Sequence, residues 1–521
     1  MLAACPARRL FALPVRGRIG SILKDRPGGV CVSIEDRVVA WLARQDVKAY
    51  LVGGCVRDRL LGRIVHDLDV AVSGDGLALA RQLADWFDGD YHALDRQRGT
   101  GRAILRRGDG ERLLVDIARF RGSDLAADLT GRDFTINALA IDVRAPAVVI
   151  DHHGGLADLA AGLIRAVSED AVRDDPLRAL RAVRQAAQLG FSLVPGTEAL
   201  IQRSGAAVAS VPAERICEEL SKLLACDFSA PFLFELDRLG LLGAVLPELE
   251  PLRDLNQSSP HQYGVLKHSL EAVGALEALL CELGLTPVGS STTGIQQIVG
   301  ELELGSLPDH AAKIGEHLNA VVSDFRPRLV VLKMAALLHD VGKPDARSLD
   351  EQGGIRFLGH ELAGGKIAGE ALRRLRFSGS EASLAELVVR NHMRPLALSS
   401  QVLVSGRAVY RFFRDTGDAG VDVLLLSLAD HLATYFPEIE ERDWQHLVHL
   451  VTRMLSYYWD REAEPSKSPP LIDGRVLIDR FGLEPGPQIG KLLEAVREAQ
   501  AVGEVSTRYE AIELVRDLIE G

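Results

Sequence analysis

The sequence contains few cysteines and no closely spaced pair of them. Its six cysteines are scattered along 521 residues, and none of them forms a C-x-x-C pair. Without such pairs, the sequence predicts neither a disulfide framework nor a cysteine-based zinc site. This usage is typical of a protein in a reducing cytosol, so we expect a cytoplasmic location.

Long apolar runs and an excess of basic residues are also missing. No stretch approaches the run of about 18 apolar residues that a membrane span needs. The formal net charge of −12 at pH 7 does not by itself indicate a nucleic-acid-binding protein. A basic surface can nevertheless coexist with an acidic remainder, and arginines are dense at Arg173–Arg184. The composition therefore argues against a membrane protein and leaves binding to nucleic acid open.

Acidic residues are absent from the start of the chain, where several arginines precede Asp25. A transit peptide has this composition, and so does a disordered extension. The second interpretation is favoured, and we expect residues 1–33 to be an N-terminal extension.

Strands and helices alternate in the first third of the chain, and helices alone are predicted after Leu163. The sequence therefore predicts an α+β protein with an α/β head and an all-α body. The predicted helices of the head are Asp36–Leu42, Val56–Leu61 and Thr135–Ala140. The predicted strands are Ala49–Val52, Leu68–Val72, Arg102–Leu105 and Leu113–Ile117.

The first motif with chemical meaning is LVGGCVRDRLLGRIVHDLDVAV, which begins at Leu51. Gly53 and Gly54 follow a strand and open a helix, where bare backbone can approach a triphosphate. Arg57 lies about one turn into that helix and can clamp a phosphate. The motif therefore favours a site for a nucleoside triphosphate.

Two carboxylates alternate on the strand that follows. Asp67 and Asp69 project to the same face of the strand because side chains repeat there with a period of two. Such a pair can hold two Mg²⁺ ions, of which one activates a 3′-hydroxyl and the other stabilises a pyrophosphate leaving group. Asp116, in the strand LLVDIA, is a candidate third carboxylate, and a structural role for it stays equally open.

Two further motifs are GRDFTINALA at 131–140 and DDPLRALRAVR at 174–184. In the second, Asp175, Arg178 and Arg181 recur every three residues, which predicts one helical face. A carboxylate accepts a hydrogen bond from the exocyclic amine of cytosine or adenine, and a guanidinium donates to the neighbouring ring acceptor. This face therefore suits base selection without a template, although a solvated face of local ion pairs has the same pattern.

These motifs, together with the G-x-x-DL-x-x-x-x-IR run at 155–165, resemble in order those of class II tRNA nucleotidyltransferases and bacterial poly(A) polymerases. The resemblance covers about 49–191 and implies a polymerase-β-like nucleotidyltransferase head that works with Mg²⁺ on tRNA, CTP and ATP. It implies that Asp67 and Asp69 hold the catalytic metals, and that Asp175 and Arg178 select C and A. It further implies contact with the nucleotide or its surroundings for Gly54, Arg57, Arg132, Asp133, Asn137, Arg178 and Arg181.

Two features depart from this family's pattern. Gly131 stands where the family commonly has the first arginine of RRDFT, and the connection from Arg119 to Asp128 is short. In this family, such a short connection resembles that of enzymes that add only the two cytidines. We therefore expect addition of C, and treat addition of the terminal A as the point to test.

A second set of chemical groups is spread over the helical body. Its members are histidines and aspartates in the order His, His-Asp, His, His, Asp, an arrangement that suits a divalent transition metal or two metals bridged by an aspartate. A metal-bound water could then attack a phosphate ester, with Lys343 stabilising the phosphate charge. The candidate ligands are His268, His339, Asp340, His360, His392 and Asp430.

This ordered set resembles the HD phosphohydrolase superfamily over about 260–437, and the resemblance implies a metal-dependent phosphatase, 2′-nucleotidase or cyclic-phosphodiesterase activity. The interval between His268 and His339 is long for such a domain. The Gly/Ser/Thr-rich segment Gly284–Gly294 within it indicates an insertion. We therefore predict an extension at 1–33, a head at 34–160, and a helical, RNA-binding neck at 161–259. The HD domain would follow at 260–437 with an insertion near 284–325, and a helical tail at 438–521 would end the chain.

The leading hypothesis is a template-independent tRNA nucleotidyltransferase that adds C, and also A, and carries an HD hydrolase. One alternative is an enzyme that adds only CC, and another is a poly(A) polymerase. A hypothesis of another class is an RNA-binding protein whose main activity is the HD hydrolase. The sequence predicts no membrane partner and does not determine an oligomeric state.

Overall fold

The computed structural model describes residues 33–65, 67–107, 110–287, 294–323, 326–351, 354–401, 404–463 and 470–520. The extension predicted at 1–33 lies outside these residues except for Ser33. Residues 288–293 of the predicted insertion also lie outside them. The chain divides into two compact units. One contains residues up to 211 together with 239–241, and the other contains 212–238 and 242–521.

The first unit is built on one mixed sheet. Its strands are β1 (Ala49–Val52), β2 (Asp67–Val72), β3 (Asp90–Asp95), β4 (Thr100–Arg106), β5 (Arg112–Arg119), β6 (Leu139–Asp142) and β7 (Val149–Asp151). Their order across the sheet is β3-β4-β5-β2-β1-β6-β7, and only β2 and β5 pair in parallel. The strands β8 (Leu163–Ile164) and β9 (Ser192–Leu193) form a separate parallel pair.

Eight α-helices accompany these strands in the described part of the first unit. They are α1 (Ile34–Ala43), α2 (Gly54–Leu60), α3 (Gly76–Trp86), α4 (Leu125–Thr130), α5 (Gly155–Ala161), α6 (Ala171–Asp174), α7 (Leu177–Leu189) and α8 (Pro195–Ser204). Helix α3 packs on β3, β4 and β5, and its Leu79 and Leu83 are buried there. Two 3₁₀ helices lie at Thr135–Asn137 and Gly205–Ser210.

The prediction of a helix at Thr135–Ala140 is wrong. A 3₁₀ turn covers only Thr135–Asn137, and the next residues form β6, whose Leu139, Ala140 and Ile141 are all buried. Strand β6 pairs with β1 on one side and β7 on the other. This long-range pairing outweighs the local helical preference of the segment.

The second unit is helical. Its helices up to the predicted metal ligands are α9 (Ala213–Leu224), α10 (Ala230–Arg238), α11 (Leu242–Val245), α12 (Val265–Glu282), α13 (Gly294–Val299), α14 (Ala311–Asn319), α15 (Arg328–Leu338), α16 (Lys343–Ala346), α17 (His360–Arg374), α18 (Gly379–Asn391), α19 (Met393–Ser399), α20 (Gly406–Thr416) and α21 (Ala419–Tyr435). The remaining helices are α22 (Glu441–Ala463), α23 (Gly474–Phe481), α24 (Pro487–Ala501) and α25 (Arg508–Glu520). Short 3₁₀ helices lie at Pro247–Leu252 and Leu307–His310.

Two small antiparallel strand pairs lie between the helices of this unit. They pair β10 (Val321–Ser323) with β11 (Arg326–Pro327), and β12 (Ser348–Leu349) with β13 (Ile355–Arg356). The three last helices enclose a core of their own, which includes Leu477, Val496 and Val515. An α/β head followed by a helical body confirms the predicted fold class. No helix among the described residues is long and apolar enough to cross a membrane.

Candidate functional site

A row of charged side chains crosses three neighbouring strands of the head sheet. Asp69 on β2 lies opposite Asp116 on β5, and Asp116 lies opposite Arg102 on β4. The Arg102 Nε and Nη2 donate to the two carboxylate oxygens of Asp116 at 2.7 and 2.8 Å. Asp116 therefore stands beside Asp69 as an ion-paired carboxylate, and Arg102 is a residue that the sequence analysis missed. The available signal was that Arg102 begins the predicted strand Arg102–Leu105, whose other residues are apolar.

Asp67 and Asp69 share one face of β2, where Asp67 is exposed and Asp69 is half-buried. Burial raises the pKa of Asp69 to about 6; Asp116 and Asp67 add to this rise, whereas Arg132 opposes it. A bound cation would offset the repulsion between these neighbouring carboxylates. Carboxylate oxygens are the ligands that Mg²⁺ prefers, so the residues present fit such an ion.

Gly53, directly before α2, brings the backbone close to these carboxylates. Its φ of +76° lies in the left-handed region. A Cβ added to Gly53 would lie 2.9 Å from Nη1 of Arg132 and 3.4 Å from Oδ2 of Asp69. The sequence predicts a nucleotide contact for Gly54, whereas the residue with a left-handed backbone and close neighbours in the structure is Gly53.

We expect Gly53→Ala to reduce nucleotide incorporation about tenfold or more, because the new methyl group displaces the Arg132 guanidinium. Backbone strain alone costs about 1 kcal/mol at such a position. Gly62→Ala is the matched control, since Gly62 has a φ of +69° and no atom within 4 Å of its added Cβ. Steady-state incorporation and thermal melting should show similar destabilisation in both variants but lost activity only in the first. Equal activity in the two variants would contradict the assigned role of Gly53.

Four of the residues predicted to surround the nucleotide form one hydrogen-bonded chain. Arg57 Nη1 donates to Asn137 Oδ1 at 2.8 Å, and Asn137 Nδ2 donates to Asp133 Oδ1 at 2.9 Å. Arg181 Nη1 contacts the other Asp133 oxygen at 3.3 Å. Burial alone would raise the pKa of Asp133, but Arg181 and these hydrogen bonds lower it below its usual value. The carboxylate is therefore held in its charged form.

Gln185 is a further member of this chain that the sequence analysis missed. Its Oε1 accepts a hydrogen bond from Asn137 Nδ2 at 3.1 Å, and its side chain is buried. The available signal was its spacing of four residues from Arg181 on α7.

The remaining predicted contacts lie around Gly131. Arg178 donates through Nη2 to the Gly131 carbonyl at 2.7 Å and through Nη1 to the Arg132 carbonyl at 3.2 Å. Arg132 in turn forms an ion pair with Asp128 at 2.9 Å. These contacts place both guanidinium groups beside the segment that links α4 to the 3₁₀ turn.

Asp175 does not belong to the helix that carries Arg178 and Arg181, so the prediction of one helical face for all three residues is wrong. Its φ of −146° and ψ of 99° are extended, and α7 begins only at Leu177. Pro176 explains the break, because a proline disfavours the helical conformation of the residue before it.

The six predicted metal ligands come together in the helical unit, and all are buried. His268 lies on α12 and Asp430 on α21, and His339 and Asp340 follow α15 directly. His360 opens α17, and His392 lies between α18 and α19. His268 Nε2 lies 3.1 Å from His339 Nε2 and 3.0 Å from Asp430 Oδ1.

Hydrogen bonds to the backbone determine how three of these imidazoles face the cluster. Nδ1 of His339, His360 and His392 lies 2.7 Å from the carbonyl oxygen three residues earlier in each case. In the neutral imidazole, Nδ1 then carries the proton and Nε2 exposes a lone pair. His360 Nε2 lies only 3.3 Å from His392 Nε2, so two lone pairs would face each other. A cation between them removes this repulsion, and the residues therefore fit a metal.

The two oxygens of Asp340 face different histidines. Oδ2 lies 3.3 Å from His339 Nε2 and 3.5 Å from His268 Nε2, whereas Oδ1 lies 3.3 Å from His360 Nε2. Lys343 Nζ is 2.6 Å from Oδ2. Nitrogen and oxygen ligands on both sides of one carboxylate suit a pair of metals bridged by Asp340.

Three segments of the chain match known protein families. Residues 49–165 match the family described as the poly A polymerase head domain, and 190–252 match the probable RNA and SrmB-binding site of polymerase A. Residues 309–435 match the HD domain family. His268, which contacts His339 in the structure, precedes this last match.

Relatives similar to most of the chain are named tRNA nucleotidyltransferases. An A-adding tRNA nucleotidyltransferase of Deinococcus radiodurans is 33% identical over 89% of this chain and 94% of its own length. CC-adding tRNA nucleotidyltransferases of Thermus thermophilus and Geobacter sulfurreducens are 34% and 31% identical. They cover 89% and 91% of this chain, and 92% and 93% of their own lengths.

Solved structures with the same fold include CCA-adding enzymes. One in complex with CTP has a TM-score of 0.61 at 19% identity, covering 94% of this chain and 95% of its own. The Thermotoga maritima CCA-adding enzyme complexed with tRNA has a TM-score of 0.58 at 20% identity, covering 93% and 95%. At this identity the likeness supports the fold.

Proposed function

Since the chain belongs to the tRNA nucleotidyltransferase family, we propose that it adds two cytidines to the 3′ end of tRNA, using CTP and Mg²⁺. The observation that carries the proposal is the pair Asp67 and Asp69, which lies beside Asp116 and close to the left-handed Gly53. Carboxylates arranged in this way are what nucleotidyl transfer requires. The scattered cysteines support a cytoplasmic location for this activity.

In the head, Asp67 and Asp69 would hold Mg²⁺, which supplies charge against the triphosphate and acidifies the attacking 3′-hydroxyl. Arg102 holds the Asp116 carboxylate in place through two hydrogen bonds. The chain of Arg57, Asn137 and Asp133 offers donors and acceptors whose positions are already determined by the protein. Such preorganised groups lower the cost of orienting the nucleotide.

For base selection we propose Asp175 and Arg178, with Arg132 and Arg181 contacting the nucleotide. The carboxylate of Asp175 would accept a hydrogen bond from the exocyclic amine of cytosine. Uracil presents a carbonyl there and would leave this carboxylate without a partner, which disfavours it. Because the Arg178 guanidinium donates hydrogen bonds to two backbone carbonyls, it would have to give up at least one of these bonds to contact a base.

The restriction to cytidine is supported by the short connection between β5 and α4. Only residues 120–124 separate Arg119 from Leu125. Several relatives that cover most of the chain are named for CC addition, which supports the same restriction. The A-adding relative makes addition of the terminal adenosine the second candidate.

Nucleotide incorporation into three tRNA substrates distinguishes these candidates. The first substrate lacks CCA, the second ends in the first C, and the third ends in CC. We expect CTP to extend the first by two residues and the second by one, with no further growth when ATP is added. Addition of adenosine to the third tRNA would assign the complete CCA activity or the A-adding activity. Extension of many RNAs with ATP alone would assign a poly(A) polymerase instead.

For the helical unit we propose a metal-dependent phosphohydrolase at the six-residue cluster. Its histidines and aspartates would hold one or two divalent transition metals, which supply an activated water for attack on a phosphate ester. Lys343 would neutralise charge on the phosphate, because its ion pair with Asp340 places the ammonium beside the proposed metal ligands. If hydrolysis were the only activity of the chain, the head would serve for RNA binding alone.

We place the beginning of the HD domain at about residue 260, and regard 284–325 as an insertion within 260–437. The contact of His268 with His339 and Asp430 supports this boundary. The residues that match the HD family begin only at 309, which lies inside the proposed insertion between His268 and the other ligands.

A further inference from the structure

Three arginine residues of the head lie around the carbonyl group of Gly131. Arg178 Nη2 donates to this oxygen at 2.7 Å, and Arg121 Nη1 donates to it at 3.1 Å. Arg132 follows Gly131 directly, and its own carbonyl oxygen accepts a further hydrogen bond from Arg178. Positive charge from three segments of the chain therefore meets at one place. Arg132 and Arg178 are proposed above to contact the nucleotide, whereas Arg121 has no assigned role.

Arg121 lies in the short connection between β5 and α4, and a carboxylate holds its backbone in place. Its N–H donates to Asp128 Oδ1 at 3.1 Å. Asp128 Oδ2 accepts hydrogen bonds from Arg132 Nη2 at 2.9 Å and from Arg132 Nε at 3.2 Å. Asp128 itself is buried. One buried carboxylate therefore positions Arg121 and Arg132 relative to each other.

The Arg121 side chain has unused hydrogen-bonding capacity. The residue is exposed, and neither its Nε nor its Nη2 has a hydrogen-bond partner among the residues that the structure describes. Its guanidinium group also forms no ion pair with a carboxylate in the described part of the chain. Donors of an exposed guanidinium group are thus available to a ligand.

Like charges surround this guanidinium group. Partial loss of hydration lowers the pKa of Arg121, although the group stays protonated at neutral pH. The guanidinium groups of Arg132, Arg178 and Arg98 lower this pKa further. The nearby Asp128 carboxylate raises it, but not enough to reverse the direction. An anion bound at this place would offset the repulsion between the cations.

Gly131 leaves room for the Arg121 side chain. A Cβ added at Gly131 would lie 3.6 Å from the carbonyl oxygens of Ala127 and Asp128, and 3.7 Å from Cδ of Arg121. These are ordinary contact distances, and the φ of −76° and ψ of −1° of Gly131 lie in the right-handed helical region, which suits a residue with a side chain. An arginine at 131, which the family commonly has, would therefore begin directly beside the Arg121 side chain.

We propose that Arg121 binds a phosphate group during nucleotide addition, together with Arg132 and Arg178, and that it supplies the positive charge that position 131 lacks in this chain. Guanidinium groups bind phosphate through paired, charge-assisted hydrogen bonds. The phosphate belongs either to the triphosphate of CTP or to the backbone at the 3′ end of the tRNA. The proposal rests on the nucleotidyl transfer proposed above and adds a residue to its binding site.

The test measures steady-state incorporation of CMP into a tRNA that lacks CCA, with CTP and tRNA varied in turn in the presence of Mg²⁺. If Arg121 contacts the triphosphate, Arg121→Ala should raise KM for CTP about tenfold, with kcat within threefold and KM for tRNA within twofold of wild type. If it contacts the RNA backbone, KM for tRNA should rise about tenfold instead, and the slope of log KM against log salt should fall by about 1. The matched control is Arg112→Ala, because Arg112 is an exposed arginine at the opposite end of β5. It should keep both KM values within about twofold of wild type.

A second variant tests whether the positive charge itself is required. Gly131→Arg, introduced into Arg121→Ala, restores a guanidinium group beside Arg132 and Arg178. We expect it to return the raised KM to within about threefold of wild type. A double variant no better than Arg121→Ala would overturn the proposal that Arg121 supplies the charge lacking at 131. Two unchanged KM values in Arg121→Ala would overturn phosphate binding by this residue.

Failure of the proposed function would be a separate result. If the wild type incorporates no CMP, nucleotide addition fails, and two binding measurements then decide the role of Arg121 by themselves. They are calorimetric binding of inorganic triphosphate and fluorescence-detected binding of the tRNA. Weaker binding of either probe by Arg121→Ala than by the wild type would support phosphate binding, and equal binding of both would refute it. The metal cluster of the helical unit is intact in both proteins and contributes equally to each measurement.

Discussion

Replacing Asp69 with asparagine is expected to reduce cytidine incorporation by about 10³-fold while the protein stays folded. Asparagine has nearly the same shape but cannot carry the negative charge that a catalytic Mg²⁺ requires. Loss of metal-assisted charge stabilisation is worth several kcal/mol of barrier, and about 1.4 kcal/mol corresponds to each factor of ten. The neutral side chain should not harm folding, because burial and the neighbouring carboxylates already raise the pKa of Asp69 to about 6.

Single-turnover incorporation of labelled CMP into a tRNA that lacks CCA measures this effect, with thermal melting as the check on folding. Asp85→Asn is the matched control, since Asp85 is an exposed carboxylate on α3 of the same unit. Its incorporation rate should stay within twofold of wild type. If Asp69→Asn retained more than a tenth of the wild-type rate, this carboxylate would not be a metal ligand in the reaction.

The strands of the head illustrate which features a sequence pattern can predict. Ala49–Val52 and Leu68–Val72 were found because a short apolar run next to turn residues is a local signal of a buried strand. The position of Asp175 outside α7 could also have been predicted from the local sequence, since Asp175 directly precedes Pro176. Strand β6 could not be predicted from its local sequence, because its conformation depends on pairing with β1, which is almost ninety residues earlier.

The functional sites show the same limit at the level of single side chains. The ordered histidines and aspartates identified the candidate metal ligands, but not which oxygen of Asp340 faces which imidazole. Arg102 and Gln185 were not predicted either, because their partners Asp116 and Asn137 are 14 and 48 residues away. Residue types and their order thus indicate the chemistry, whereas the pairing that orients it depends on packing between distant segments.

Asp340→Asn tests the second site independently of the first. We expect it to abolish phosphohydrolase activity, with a loss of at least about 100-fold, and to leave cytidine incorporation within twofold of wild type. The reason lies in the two oxygens of Asp340, which face His339 and His268 on one side and His360 on the other. Removing the charge of a carboxylate between two sets of imidazoles weakens metal binding on both sides.

Metal content and melting temperature give a readout that does not depend on finding the substrate. A metal that binds only the folded state at 100 times its Kd adds about 2.7 kcal/mol of stability, so Mn²⁺ should raise the melting temperature of the wild type but not of Asp340→Asn. Asp345→Asn, an exposed carboxylate five residues along the chain, should behave like the wild type. Should Asp340→Asn not fold because Lys343 loses its partner, His360→Asn provides the same comparison without disturbing that ion pair. An undiminished response to Mn²⁺ in both variants would mean that these residues do not bind the metal, and the cluster would then be a structural feature of the helical unit.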